Sequence, residues 1–202
     1  MTPPSALLHQ AAALCLTYPD EELYERLPLV RAAAQQLAPF VDHAESTALQ
    51  DLAAHYVQVF DFKNRHSLYL TWWRDGDTRR RGMSLVRFKE VYREHGMEFT
   101  GEELPDFLPA VLEFSAQAGP FLLEEHRSGL ELLRLALTEH GTPYAAVLDA
   151  VCASLPGPSP KDRAEALALA RSGPPREDVG LEPFGDLGGR ESLPLFVKER
   201  AR

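Results

Sequence analysis

The chain holds 31 leucines, 25 alanines and 11 valines, but not one isoleucine. Leucine and alanine are among the strongest helix formers, whereas sheets depend on β-branched and aromatic residues. A chain this poor in β-branched residues is expected to be all-α. Its 202 residues suffice for one domain that buries roughly 70% of its unfolded surface without staples. Hydrophobic residues make up 45%, charged residues 25%, and the mean hydropathy is −0.25. These values exclude a disordered chain and one inserted in a membrane.

Charge is unevenly spread. The formal net charge is −9, which disfavours generic binding to nucleic acid or anionic lipid. Residues 1–62 carry net −6, residues 63–93 net +6, and residues 101–150 net −7. One basic segment thus lies between two acidic ones. They either neutralise each other on the folded surface or present a bipolar face to a charged partner. The two cysteines, Cys15 and Cys152, lack CxxC spacing, which argues against a metal ribbon or disulfide framework and suits a reducing compartment. The opening Met1-Thr2-Pro3-Pro4-Ser5 lacks a basic run, so no signal peptide is expected and the cytoplasm is the expected location.

Helix punctuation recurs along the chain. Leu7, Ala11, Leu14, Cys15 and Tyr18 share a helical face that Pro19 closes. Asp20 is positioned to cap the next helix, whose stripe of Leu23, Leu27, Val30, Ala34 and Leu37 should kink or break at Pro28. Leu49, Leu52, Tyr56, Val59 and Phe60 form the clearest amphipathic pattern. Further helices are expected from about Asp77 to His95, from about Pro105 to Ala118, and through the Leu-rich stretch after Gly119-Pro120. In His140-Gly141-Thr142-Pro143, Gly141 suits a left-handed cap, Thr142 an N-cap and Pro143 the first helical position. Ser159-Pro160-Lys161-Asp162 opens a last helix. The expectation is one compact helical domain of seven to nine helices over residues 1–171. A Gly/Pro-rich, flexible tail over 172–202 should follow, with Leu193–Val197 as an apolar patch able to dock.

No residue set demands catalysis. The seven histidines never pair at i+3 or i+4, so no helical metal site is expected. Phosphate-cradling glycine loops and the GxSxG nucleophile elbow are absent from the sequence. Asp75-Gly76-Asp77-Thr78 reads as a turn into a helix rather than a calcium loop. Arg79, Arg80 and Arg81 form either a solvated face or a partner-binding run suited to phosphate or carboxylate groups. Tyr69, Trp72 and Trp73 are dense enough for core packing, yet adjacent tryptophans on a helix cannot share one core line, so one is available to a groove.

Tyr56-Val-Gln-Val-Phe60-Asp61-Phe62-Lys63, Leu68-Tyr69-Leu70-Thr71 and Asp75-Gly76-Asp77-Thr78-Arg79-Arg80-Arg81-Gly82 together resemble the NarJ family. These are the nitrate reductase molybdenum cofactor assembly chaperones, within the TorD-like redox enzyme maturation proteins. The likeness continues through Arg87-Phe88-Lys89 and Tyr92, and through Glu103-Leu104-Pro105-Asp106-Phe107-Leu108-Pro109, Val111-Leu112-Glu113-Phe114 and Leu16-Thr17-Tyr18-Pro19. Phe107 departs from it, since the related acidic-Pro-Asp motif commonly ends in His.

The resemblance implies a TorD-like helical chaperone that is not an enzyme. It would bind the leader helix of the apo alpha (catalytic) subunit of nitrate reductase and hold no cofactor stably, while the client receives the molybdenum cofactor. A groove is expected among Tyr56, Phe60, Tyr69, Trp72 and Phe114, with Glu103 and Asp106 as rim charges. Whether the chain is a monomer or a dimer stays open. The alternatives are a small helical nucleotide- or phosphate-binding enzyme using Arg79–Arg81, and a nucleic-acid adaptor that the acidic balance disfavours.

Overall fold

A computed structural model describes residues 4–62, 64–100 and 103–172 of the chain. Among them are eleven α-helices: α1 Pro4–Cys15, α2 Glu21–Ala33, α3 Ala38–Glu45, α4 Leu49–Phe60, α5 Leu70–Asp75, α6 Arg79–Glu94, α7 Leu108–Ala118, α8 Phe121–Glu125, α9 Arg127–His140, α10 Tyr144–Ser154 and α11 Arg163–Ser172. The all-α class is as the composition demands. The count exceeds seven to nine because α5 and α8, of six and five residues, are too short to show a period. Residues from 173 onward, including Leu193–Val197, lie outside the described residues.

Local chemistry sets several boundaries. Asp20 accepts a hydrogen bond from the Leu23 amide at 2.8 Å and caps α2, with Glu21 and Glu22 in the favourable first turn. Gly141 ends α9 at φ 74°, a left-handed geometry that suits glycine. Asp162 accepts from the Glu165 amide while Glu165 accepts from the Lys161 amide, a reciprocal cap that opens α11.

Four details correct the periodic reading. Pro28 neither breaks nor ends α2, because it lies on the exposed face, where the carbonyl it leaves unpaired can meet water. In α1 and the residues just after it, Leu7 and Tyr18 are exposed, whereas Leu8, His9, Ala12, Ala13 and Leu16 are buried. This helix packs on α2, α7 and α10 at once, so a single apolar stripe does not describe it. Thr142 does not cap α10: its hydroxyl bonds His55 Nε2 at 2.9 Å, and Pro143 takes the cap position. Finally, α7 begins at Leu108 rather than Pro105. The residues before it form a turn, Phe107 N donating to Leu104 O at 3.0 Å, and Phe107 bridges Tyr69 just before α5, with Leu108 N donating to Leu68 O at 2.8 Å and Leu70 N to Asp106 O at 3.0 Å.

Two helices organise the interior. α1 lies along α7 and α10, while α9 meets α5, α10 and α11. His9 joins three of these, with Nδ1 2.8 Å from Ser115 Oγ on α7 and Nε2 2.8 Å from Ser154 Oγ on α10. Glu131, fully buried on α9, sits between Arg127 and Arg134 at 3.3 and 2.7 Å. Those arginines also donate to the carbonyls of Pro156, Gly157 and Pro160, which fastens the connection between α10 and α11. Cys15 and Cys152 are both buried free thiols, and burial raises both their pKa values, so neither is a ready nucleophile.

Candidate functional site

The antiparallel pairing of Tyr69 with Phe107 forms one side of a cleft of about 680 Å³. The segment after α1 supplies Thr17 and Tyr18, α4 and its C-cap supply Tyr56, Phe60 and Asp61, and α6 contributes Arg81. Tyr69, Trp72, Glu103 and Phe107 complete the wall. The chain thus brings Tyr56, Phe60, Tyr69, Trp72 and Glu103 around one cavity, whose lining does not include Phe114. The two tryptophans divide their tasks. Trp72 lines the cleft, whereas Trp73 turns away, donates Nε1–H to Ser67 O at 2.9 Å and packs on Gly129. A Cβ at Gly129 would lie 2.9 Å from Trp73 Cβ, so only glycine admits this approach.

Each wall is held by its own chemistry. Tyr56 donates its hydroxyl proton to Leu16 O at 3.1 Å and packs against Phe60 and the buried Tyr144, leaving little of its ring to the cavity. Tyr69 donates to Glu103 Oε2 at 2.5 Å. Burial first, and then that hydrogen bond, raise the Tyr69 pKa, so the phenol stays a donor. Phe107 lies with its ring centroid 5.6 Å from that of Tyr69.

Asp106 is a correction. It is not a rim charge but fully buried, accepting from Thr71 N at 3.0 Å and Thr71 Oγ1 at 2.5 Å through one carboxyl oxygen. The reason is the pairing just described, which turns Asp106 inward beneath α5 and makes it a clamp between the cleft's two strands of chain. Thr71 Oγ1 in turn accepts from Arg81 Nε at 3.2 Å.

The basic run divides as well. Three consecutive helical residues point about 100° apart, so they cannot share a face. Arg79 and Arg80 are exposed, whereas Arg81 lies over the Tyr69 and Trp72 rings at 5.6 and 5.9 Å. Part of the basic segment is neutralised within the fold: Arg74 and Arg87 both pair with Glu125, at 3.4 and 2.9 Å. Beside them His126 is buried against Phe88, and desolvation brings its pKa down to about 4.

A second cavity of about 480 Å³ adjoins the first and shares Thr17, Glu103 and Phe107 with it. Phe114 belongs here, buried against Tyr92 and Phe121, together with Met97, Phe99, Glu98 and Glu113. Of this half the sequence reading named Phe114 and Glu103 for the groove but not Met97, Phe99, Glu98 or Glu113, and in the first it did not name Tyr18, Asp61 or Phe107 for it. Across both cavities the described lining carries four carboxylates, Asp61, Glu98, Glu103 and Glu113, and one cation, Arg81. Among the described residues no three His, Cys, Asp or Glu side chains gather as a metal would need. No helix among them is long and apolar enough to cross a membrane.

Comparison with known proteins gives a consistent picture. Residues 27–150 match the family described as nitrate reductase delta subunit. The probable nitrate reductase molybdenum cofactor assembly chaperone NarJ of Bacillus subtilis is 33% identical over 158 residues, covering 72% of this chain and 86% of its own. The nitrate reductase molybdenum cofactor assembly chaperone NarJ of Escherichia coli K12 is 31% identical over 153 residues, covering 66% of this chain and 63% of its own. The nitrate reductase-like protein NarX of Mycobacterium tuberculosis H37Rv is 39% identical over 154 residues, 71% of this chain, and the match spans only 23% of NarX. Among solved structures, a protein from Archaeoglobus fulgidus assigned to redox enzyme maturation superposes with TM-score 0.61. At 21% identity over 74% of this chain and 92% of that one, it attests the fold alone.

Proposed function

This chain belongs to the nitrate reductase delta subunit family, and from that premise we propose that it is an assembly chaperone for a respiratory nitrate reductase. Its client is the apo alpha subunit, held by its N-terminal leader in the aromatic cleft until the molybdenum cofactor enters the client. The cofactor is cargo for the client, and no residue of this chain is assigned to hold it. The encounter takes place in the cytoplasm, before the client reaches the membrane, and involves no nucleic acid.

The observation that carries this reading is the cleft itself, an apolar aromatic floor under a rim of Asp61, Glu98, Glu103 and Glu113. A helix with one apolar face and basic flanks is the ligand that such a surface complements. Three or four anchors at ~1.5–3 kcal/mol each give a gross ~5–12 kcal/mol. Ordering the peptide offsets several of these, which leaves micromolar to nanomolar affinity and permits release. Tyr56, Phe60, Tyr69, Trp72 and Phe114 are assigned as anchoring walls, Glu103 as a rim charge, and Asp106 as the clamp beneath them. Arg79 and Arg80 offer a separate basic face to the folded part of the client. Among the described lining residues, four carboxylates against one cation, Arg81, weigh against a phosphate- or nucleotide-binding enzyme.

Calorimetry of the full chain with the leader peptide of its own nitrate reductase alpha subunit tests the reading. Saturable binding with a negative heat-capacity change is expected. Absence of binding at hundred-micromolar peptide refutes it.

A further inference from the structure

The cleft's chemistry is met by a segment of this same chain. Thirty residues follow Ser172 in the sequence, and they contain Leu193-Pro194-Leu195-Phe196-Val197 followed by Lys198, Arg200 and Arg202 against Glu199 alone. Four large apolar side chains and a proline thus precede a stretch of net +2. This is the complement of an aromatic floor rimmed by Asp61, Glu98, Glu103 and Glu113. We propose that Leu193–Val197 docks in the cleft of its own chain, its basic flank against the acidic rim, and yields that place to the client. The proposal rests on the chaperone reading for the client's part, though not for the docking itself.

Reach permits it. Residues 173–192 extend to roughly 66–72 Å. A folded body of some 170 residues has a radius of gyration near ~16 Å and so a diameter near ~40 Å. Every point of the surface is within range of α11's end. A random-coil tether of this length, about 20 residues, would have an r.m.s. span of ~25 Å and supply a local concentration on the order of 1 mM. A short apolar segment that alone binds at ~0.1 mM would then occupy the cleft about nine-tenths of the time. Client affinity would be about tenfold weaker than without the competitor, and fortuitous apolar segments would be screened by the same factor.

The full chain carrying a benzoylphenylalanine photocrosslinker at Phe196 tests the docking directly. Illumination is expected to link position 196 to the walls at 56–61, 67–72 or 97–114, within one chain, in a mixture of isotopically light and heavy protein. Links elsewhere on the surface, or none, overturn the proposal, and links between light and heavy chains overturn it in favour of a second copy. The double variant L195E/F196E measures the competition, with an expected tenfold fall in the Kd of the leader peptide. An unchanged Kd overturns the competitive role. Intramolecular links to the cleft together with no leader binding by either form would sustain the docking and refute the client reading.

Discussion

Thr71→Val removes one hydroxyl from the clamp beneath the cleft and leaves the shape of the side chain intact. Thr71 is fully buried, and its Oγ1 donates to Asp106 Oδ2 at 2.5 Å while accepting from Arg81 Nε at 3.2 Å. Among the described residues the other Asp106 carboxyl oxygen has no hydrogen-bond partner, so after the change only the Thr71 backbone amide, at 3.0 Å, would serve that carboxyl among them. A hydrogen bond to a charged group is worth about 1.5–3 kcal/mol, and the added apolar methyl returns less than about 1 kcal/mol. The net loss is thus about 2 kcal/mol, and at 2–4 °C per kcal/mol for a chain of this size the melting temperature should fall by about 4–8 °C. Thr71→Ser keeps the hydroxyl and deletes one methyl, for a loss below about 1 kcal/mol. Thermal unfolding followed by circular dichroism should rank wild type above Ser above Val. The leader peptide should bind the Val variant several-fold more weakly, because Arg81 loses its anchor on the cleft wall. A melting temperature within 2 °C of wild type for Val, or a Ser variant less stable than Val, would show that packing and not the hydroxyl holds the two segments together.

Acid should destabilise the fold through His126. Its folded pKa of about 4 lies below the ordinary 6.5, chiefly through burial, with Arg74 and Arg87 adding to the fall and Glu125 and Asp75 opposing it. The unfolded chain therefore takes the proton first: stability is complete above pH 6.5 and up to about 3 kcal/mol is lost as pH falls to 4. Urea midpoints should trace that limb and flatten in His126→Leu, and a limb unchanged by that substitution would refute the assignment. Arg79→Glu with Arg80→Glu should leave the urea midpoint unmoved, since both side chains are exposed, yet lower nitrate reductase activity in cells several-fold. Full activity would leave the pair a solvated face.

What the sequence made legible was what neighbours in the chain decide. The Leu/Ala bias, the Asp20 cap and the Gly141 stop are local, and each stands in the structure as read. The misplacements all have distant causes. The start of α7 is set by hydrogen bonds to residues 68 and 70, nearly forty positions away. The face of α1 is set by three packing partners at once, and the task of Thr142 by His55 on α4. Pro28 stays inside α2 because tertiary packing leaves it on the water side, a fact no propensity carries.

The site followed the same rule. Tyr56, Phe60, Tyr69 and Trp72 lie within one short stretch and could be gathered by inspection, whereas Asp106 looked like a rim charge until Thr71 turned it inward. A signal for Arg81 did exist in the 100° step between consecutive helical residues, which forbids a uniform face to Arg79–Arg81. Phe107 matters for the opposite reason. It lines both cavities and stacks on Tyr69, in a position where the resemblance leads one to expect an imidazole. A phenyl ring cannot titrate, so position 107 brings no ionisable group to the junction, where the carboxylate is that of Glu103, and the ring's contribution to binding is dispersion and burial alone. On the chaperone reading, release of the leader then has no imidazole at position 107 to act through. A competitor for the cleft would release the leader by mass action, and the acidic rim favours a basic, apolar segment in that part.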